Sequence, residues 1–169
     1  MSKVDFVAFK VTTAKAENSY LCQFGIVIVT NRNISAKFHY FIKPAVLSCP
    51  ECGSDLLKDG TKIIHSFPEA WEKVRNLFTG NLLVAHNARF ELSLLRNALL
   101  HYKLEVPELY CDCTYRLSGL SLEALCNALK IDYQNDNDAL LDAAAIAFAY
   151  QKLQQGIKPD YSLIKLRQN

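Results

Sequence analysis

The chain has 169 residues, half of them hydrophobic and 21% charged, with a net charge of +2. That length supports one domain with a sizeable core, and no stretch approaches the roughly 20 apolar residues of a membrane span. A pI near 8.2 permits nucleic-acid contact without demanding it, because dedicated nucleic-acid domains concentrate basic residues on one face. The opening Met-Ser-Lys-Val-Asp-Phe has no basic segment leading into an apolar run, so no signal peptide is read and the cytoplasm is the expected compartment. There the six cysteines are expected as free thiols, with metal ligation as the alternative.

Val4 to Val11 is apolar and rich in β-formers, which fits a central strand. Leu21 to Thr30 is a second strand. Ala36 to Ile42 mixes aromatic and polar residues and stops before Pro44, as a strand nearer an edge would. Lys43 to Ser66, with Pro, Gly and two cysteines, reads as a long irregular connection, a kind of segment that often carries function. Phe67-Pro68-Glu69-Ala70-Trp71 opens a helix that runs to about Phe78. After a Gly80-Asn81 turn, Leu82 to Ala85 is a short buried strand. Arg89 to His101 has apolar residues at 90, 94, 95, 98 and 99, a helical spacing.

A short strand is expected around Tyr110 and Cys111, and a helix from Ser121 to near Lys130. Asp138 to Leu153 is rich in Ala and Leu and closes at Gly156, a strong helical signature. No repeat or linker divides residues 1–169, and the segment after Pro159 is unreadable. Leading strands followed by alternating helix and strand indicate an α/β domain whose first strands pair antiparallel.

Val84-Ala85-His86-Asn87-Ala88-Arg89-Phe90-Glu91 reads as a strand end, a polar turn and a helix start carrying one acid. Together with Phe9-Lys10-Val11-Thr12-Thr13, Asn137-Asp138-Ala139-Leu140-Leu141-Asp142 and the element order, it makes residues 4–153 resemble the DnaQ-like (DEDDh) 3′–5′ exonucleases. The resemblance implies a ribonuclease-H-like fold, a mixed five-stranded sheet flanked by helices. In that family four carboxylates hold two Mg²⁺ ions, which activate a water and stabilise the leaving oxygen, while a histidine is the general base. Mg²⁺ demands oxygen ligands in near-octahedral geometry.

Against that pattern the chain departs at several positions. Phe-Asp-x-Glu-Thr becomes Phe9-Lys10-Val11-Thr12-Thr13, placing Lys10 and Thr12 where two carboxylates are expected, on one face of a strand. Glu91 stands for the Asp of the second motif, one methylene longer. In the third motif Asp142 is retained, but Asn137 replaces the histidine, and asparagine cannot take up a proton near neutral pH. The related subgroup's Tyr is not supplied either, because that position is Asp138. By side-chain count Lys10, Glu91 and Asp142 sum to about −1. The Lys10 ammonium is therefore expected to take the place of a metal, pairing with Asp142 or Glu91.

Each of these residues also has a plainer reading. Asp142 would cap or solvate its helix, and Asp138 would be an N-cap or first-turn acid. His86 and Asn87 would fix the strand-to-helix turn, with Asn suited to both turn conformation and capping. Phe90 would stack on a terminal base, as the resemblance implies, or belong to the core. Thr13 would contact a nucleotide 3′ end or simply end a strand. Lys10, Lys15 and Arg89 are candidate phosphate contacts. Cys49, Cys52, Cys111 and Cys113 would form a zinc site if they met in space, although free thiols are the default. Cys22 and Cys126 read as core residues.

The leading expectation is a degenerate exonuclease domain, catalytically impaired or inactive, that binds single-stranded DNA or RNA ends and needs no cofactor. The alternatives are an active exonuclease with a rearranged Mg²⁺ or Mn²⁺ site at Glu91 and Asp142, and a protein-interaction module on the same fold. No membrane association is expected.

Overall fold

The computed structural model describes residues 3–13, 21–43, 64–160 and 162. Its sheet is built from β1 (Val4–Thr13), β2 (Leu21–Thr30), β3 (Asn33–Ile42), β4 (Ile64–His65), β5 (Leu83–Ala85) and β6 (Cys111–Cys113), in the spatial order β4-β3-β2-β1-β5-β6. The first three strands pair antiparallel, whereas β5 lies parallel to β1 and β6 parallel to β5. The mixed five-stranded sheet is thus present. The two-residue β4 extends it at the β3 edge, in a stretch expected to be irregular, and the rest of that stretch lies outside the described residues. The short strand expected around Tyr110 and Cys111 is present as Cys111–Cys113, its pairing with β5 beginning at Leu83 and Cys111, one residue after Tyr110.

Among the described residues the helices are α1 (Phe67–Thr79), α2 (Ala88–His101), α3 (Thr114–Ser118), α4 (Leu122–Ala128) and α5 (Ala139–Gln154). The start of α1 follows from its sequence. Ser66 and Glu69 form a reciprocal capping box, with the Ser66 amide donating to Glu69 Oε2 at 2.8 Å; such a cap contributes about 1 kcal/mol. α4 stops at Ala128, short of the expected Lys130, because Leu129 and Lys130 fold into a turn with φ of 54° at Lys130. No described helix is long and apolar enough to cross a membrane.

β1 separates two cores because successive strand residues point to opposite faces. Val7, Phe9 and Val11 pack with Trp71, Val74 and Phe78 of α1 and with Leu94 and Leu95 of α2. Phe6 and Ala8 pack with Ala143, Ile146, Ala147 and Tyr150 of α5. Each large buried side chain contributes roughly 1.5–3 kcal/mol. Lys10 and Thr12 continue the second row, so the face directed at α5 turns polar as β1 ends.

The alanines of α5 allow the helix to lie close on the sheet. Contact is closest at Gly25, which pairs with Lys10 across β1 and β2. A Cβ there would sit 2.0 Å from the Ala139 carbonyl oxygen. Glycine at this position therefore sets how near the start of α5 comes to the polar end of β1.

Candidate functional site

The carboxyl ends of the parallel strands β1, β5 and β6 meet the starts of α2 and α5, the region where open α/β sheets usually bind ligands. A cleft of about 380 Å³ opens there, and Lys10, Thr12, Thr13, His86, Phe90, Tyr133, Asn137 and Asp142 are among its lining residues.

Glu91, in the first turn of α2, is 1% exposed. Its Oε1 accepts from Lys10 Nζ at 2.6 Å and its Oε2 from the Val11 amide at 2.9 Å. Two adjacent residues of β1 thus hold both oxygens. Burial pushes the Glu91 carboxyl above its ordinary range, opposed by the Lys10 charge and by these two bonds, while the Asp142 charge adds to the rise. Of the two partners open to Lys10, the structure pairs it with Glu91, and the ammonium remains partly exposed to the cleft.

Asp142 lies one turn into α5 and is buried. Its Oδ1 accepts from the Tyr133 hydroxyl at 2.7 Å. Burial raises its carboxyl too, opposed by the Tyr133 bond and the Lys10 charge. The helix cap is Asp138, whose Oδ1 accepts from the Leu140 and Leu141 amides at 2.8 and 2.9 Å. Asp142 is therefore a cleft residue rather than a cap. Asn137 is exposed, with φ of 54°, and its carbonyl accepts from Gln23 Nε2 at 3.0 Å. Gln23 Oε1 also accepts from the Ala139 amide at 3.2 Å, tying the start of α5 to β2.

His86 bonds through Nδ1 to Thr114 Oγ1 at 3.0 Å and stands edge-on to Tyr115. Burial, reinforced by the Lys10 charge, pushes its imidazole down to about 4, so the ring is neutral around pH 7. Asn87 adopts the left-handed turn conformation expected of it, φ 59°, but its side chain makes no capping bond. Phe90 is 47% exposed at the cleft, which removes it from the core. Thr12 Oγ1 is buried without a hydrogen-bond partner among the described residues.

Other expected site residues sit elsewhere. Arg89 is exposed and does not line the cleft. Lys15, Cys49 and Cys52 lie outside the described residues. Cys111 and Cys113 are free thiols, but Cys113 Sγ accepts from the Ala88 and Arg116 amides at 3.3 and 3.4 Å, and burial pushes the Cys111 thiol up to about 12. Both features disfavour metal ligation. Cys126 is a buried free thiol, as expected of a core residue. Cys22 is buried as well but disulfide-bonded, which corrects its reading as a free thiol. Tyr133, Gln23 and Thr114 were not foreseen, since each acts through a partner 9 to 116 positions away in the chain.

The donor set does not fit a pair of Mg²⁺ ions. Among the described residues no group of three or more His, Cys, Asp or Glu side chains could hold a metal. The two carboxylates at the family positions are already engaged, Glu91 by an ammonium and an amide and Asp142 by a phenol.

A family model for the RNase_T exonucleases matches residues 9–150. The chain is 28% identical to DNA polymerase III subunit epsilon of Escherichia coli (strain K12), with 85% of this chain aligned to 65% of that protein. It is also 28% identical over 100 residues to the PolC-type DNA polymerase III of Mycoplasmopsis pulmonis (strain UAB CTIP), covering 58% of this chain and 7% of that one. It therefore spans less than two thirds of either curated relative. Among solved structures it superposes on the nuclease domain of 3′hExo, a DEDDh family member, bound to rAMP. The TM-score is 0.66 at 17% identity, with 94% of this chain and 96% of that one covered. The ribonuclease-H-like fold expected from the motifs is the fold present.

Proposed function

The chain belongs to the RNase_T exonuclease family, and we propose that it is a member without a working two-metal centre, which retains single-stranded nucleic-acid ends in its cleft without cutting them. The observation that carries this reading is the 2.6 Å contact between Lys10 Nζ and Glu91 Oε1. A divalent ion on the same carboxylate would lie about 4 Å from the ammonium. At an effective dielectric of about 20, repulsion there is on the order of 8 kcal/mol. That is comparable to everything a metal contributes as a Lewis acid at such a site. The missing general base points the same way, because the Asn137 amide cannot take up a proton near neutral pH, and burial with the Lys10 charge lowers the His86 imidazole to about 4, leaving it a weak base.

The cleft keeps features suited to an uncut strand end. Phe90 offers an exposed ring for stacking, worth roughly 1–3 kcal/mol per base. Lys10 has further N–H donors beyond the one given to Glu91, and Thr13 and His86 line the same cleft. Arg89, exposed and one residue from Phe90, is assigned as a phosphate contact, and the sequence assigns Lys15 the same role.

The test is to mix the protein with labelled single-stranded DNA and RNA, in Mn²⁺ or in chelator, and to measure both shortening and retention. Retention in chelator without shortening in Mn²⁺ is the expected outcome. Metal-dependent shortening overturns the proposal in favour of an active, rearranged exonuclease. Neither shortening nor retention at low salt overturns it in favour of a protein-interaction module, a second reading favoured by the similarity to a polymerase subunit.

A further inference from the structure

We propose that Tyr115 is a second stacking position for a nucleobase, so that a single strand is held by its terminal nucleotide against Phe90 and by an upstream nucleotide against Tyr115. The inference rests on the reading of the cleft as a site for single-stranded ends, and it names the residue that sets how much of the strand is held.

Tyr115 lies two residues past the carboxyl end of β6. Its ring stands edge-on to that of His86, with centroids 5.7 Å apart and planes at 84°. His86 and Phe90 both line the cleft. An edge contact occupies one rim of an aromatic ring and leaves a face for another partner. Tyr115 is 49% exposed, close to the 47% of Phe90. One half-exposed ring therefore lines the cleft, and a second touches a residue that lines it.

The helices that carry the two rings are fastened to each other at their first turns. Phe90 belongs to α2 and Tyr115 to α3. Cys113 Sγ accepts from the Ala88 amide, two residues before Phe90, at 3.3 Å, and from the Arg116 amide, one residue after Tyr115, at 3.4 Å. The buried Thr114 adds a second tie, its Oγ1 bonding His86 Nδ1 at 3.0 Å and donating to the Ala85 carbonyl at 3.4 Å. The backbone that carries both rings is thus fixed by the fold. Groups placed in advance lose less freedom on binding. Every base has a π-face, so a second ring adds affinity and a dependence on strand length without adding sequence preference.

The test uses tetranucleotides carrying the fluorescent base analogue aminopurine at each position in turn, whose emission falls when the base stacks on a ring. They are bound in chelator to the wild-type protein, Tyr115→Ala, Tyr115→Phe and Phe90→Ala. Wild type should quench the terminal base and one interior base. Tyr115→Ala should restore emission at the interior position alone and weaken tetranucleotide binding about tenfold, the loss of one stacked base. Tyr115→Phe, which keeps the ring, should retain the interior quenching, and Phe90→Ala should restore the terminal position. A Tyr115→Ala protein that quenches every position as wild type does, or that restores all of them equally, overturns the proposal. So does a Tyr115→Phe protein as impaired as Tyr115→Ala. Quenching of the terminal base alone by wild type overturns it and leaves the retention of strand ends standing. A wild-type protein that retains no oligonucleotide overturns both.

Discussion

The β1–α2 wall and the α5 wall of the cleft each bury one carboxylate, and they stabilise it by different means. On the first wall Glu91 is matched by a full positive charge from Lys10 at 2.6 Å, with a backbone amide on its other oxygen. On the second, Asp142 has a neutral phenol from Tyr133 at 2.7 Å and the more distant influence of Lys10. Burial lifts both carboxyls, and in each case the first opposing influence is the partner its own wall supplies. An ion pair set in a sheet is costly to break from one side, because the survivor is left charged and dry. A hydrogen bond to a loop tyrosine can be lost at the price of a single bond.

The largest expected effect comes from breaking the first wall. Lys10→Met should destabilise the fold by about 3–5 kcal/mol, the usual consequence of leaving a buried charge unpaired. Lys10→Met/Glu91→Leu should recover most of that loss. Urea unfolding of the three proteins measures both values, and a loss under about 1 kcal/mol for Lys10→Met would erase the contrast between the walls. On the second wall, Tyr133→Phe removes only the hydroxyl, and the expected cost is about 1.5 kcal/mol. Because that hydroxyl pulls the Asp142 carboxyl down, its removal should raise the Asp142 pKa further, as followed by NMR titration of the side chain.

The smallest expected effect is a pH dependence at His86, which lines the same cleft. His86 in the folded protein titrates at about 4, against an ordinary 6.5. As pH falls the unfolded chain takes up this proton first. The stability His86 contributes is therefore complete above 6.5 and lost progressively as pH falls toward 4. His86→Asn should flatten the unfolding midpoint across that interval relative to wild type. The two raised carboxyls act in the opposite sense, since the folded state holds their protons longer, and the comparison with His86→Asn subtracts them. An equally steep decline in the variant would place the acid sensitivity elsewhere.

Much of the scaffold was legible in the chain because it depends on short-range pattern. The apolar run of β1, the Pro-Glu start of α1 and the Ala-rich α5 each carry their own periodicity or cap, and each was found within one or two residues. Two of the short elements were not. β4 and α3 have two and five residues, too few for any period to register, and exist because neighbours complete their hydrogen bonds. Phe90 was ambiguous for a related reason: helical spacing says that a residue shares a face with others, but not whether that face is covered, and here the cleft leaves the ring open.

The same division runs through the site. The sequence by itself determined which side chains stand at the family positions: Lys10 and Thr12 on a strand, Glu91 at a helix start, Asp142 one turn into the last helix. Their charges, and so the need for a countercharge, follow from residue type alone. Only the tertiary structure decided that Lys10 pairs with Glu91, 81 positions away, and leaves Asp142 to Tyr133. The physical reason is distance. A charge acts strongly on a partner a few ångströms away, and which partner that is depends on how β1, α2 and α5 are brought together, down to the missing Cβ of Gly25 beneath Ala139.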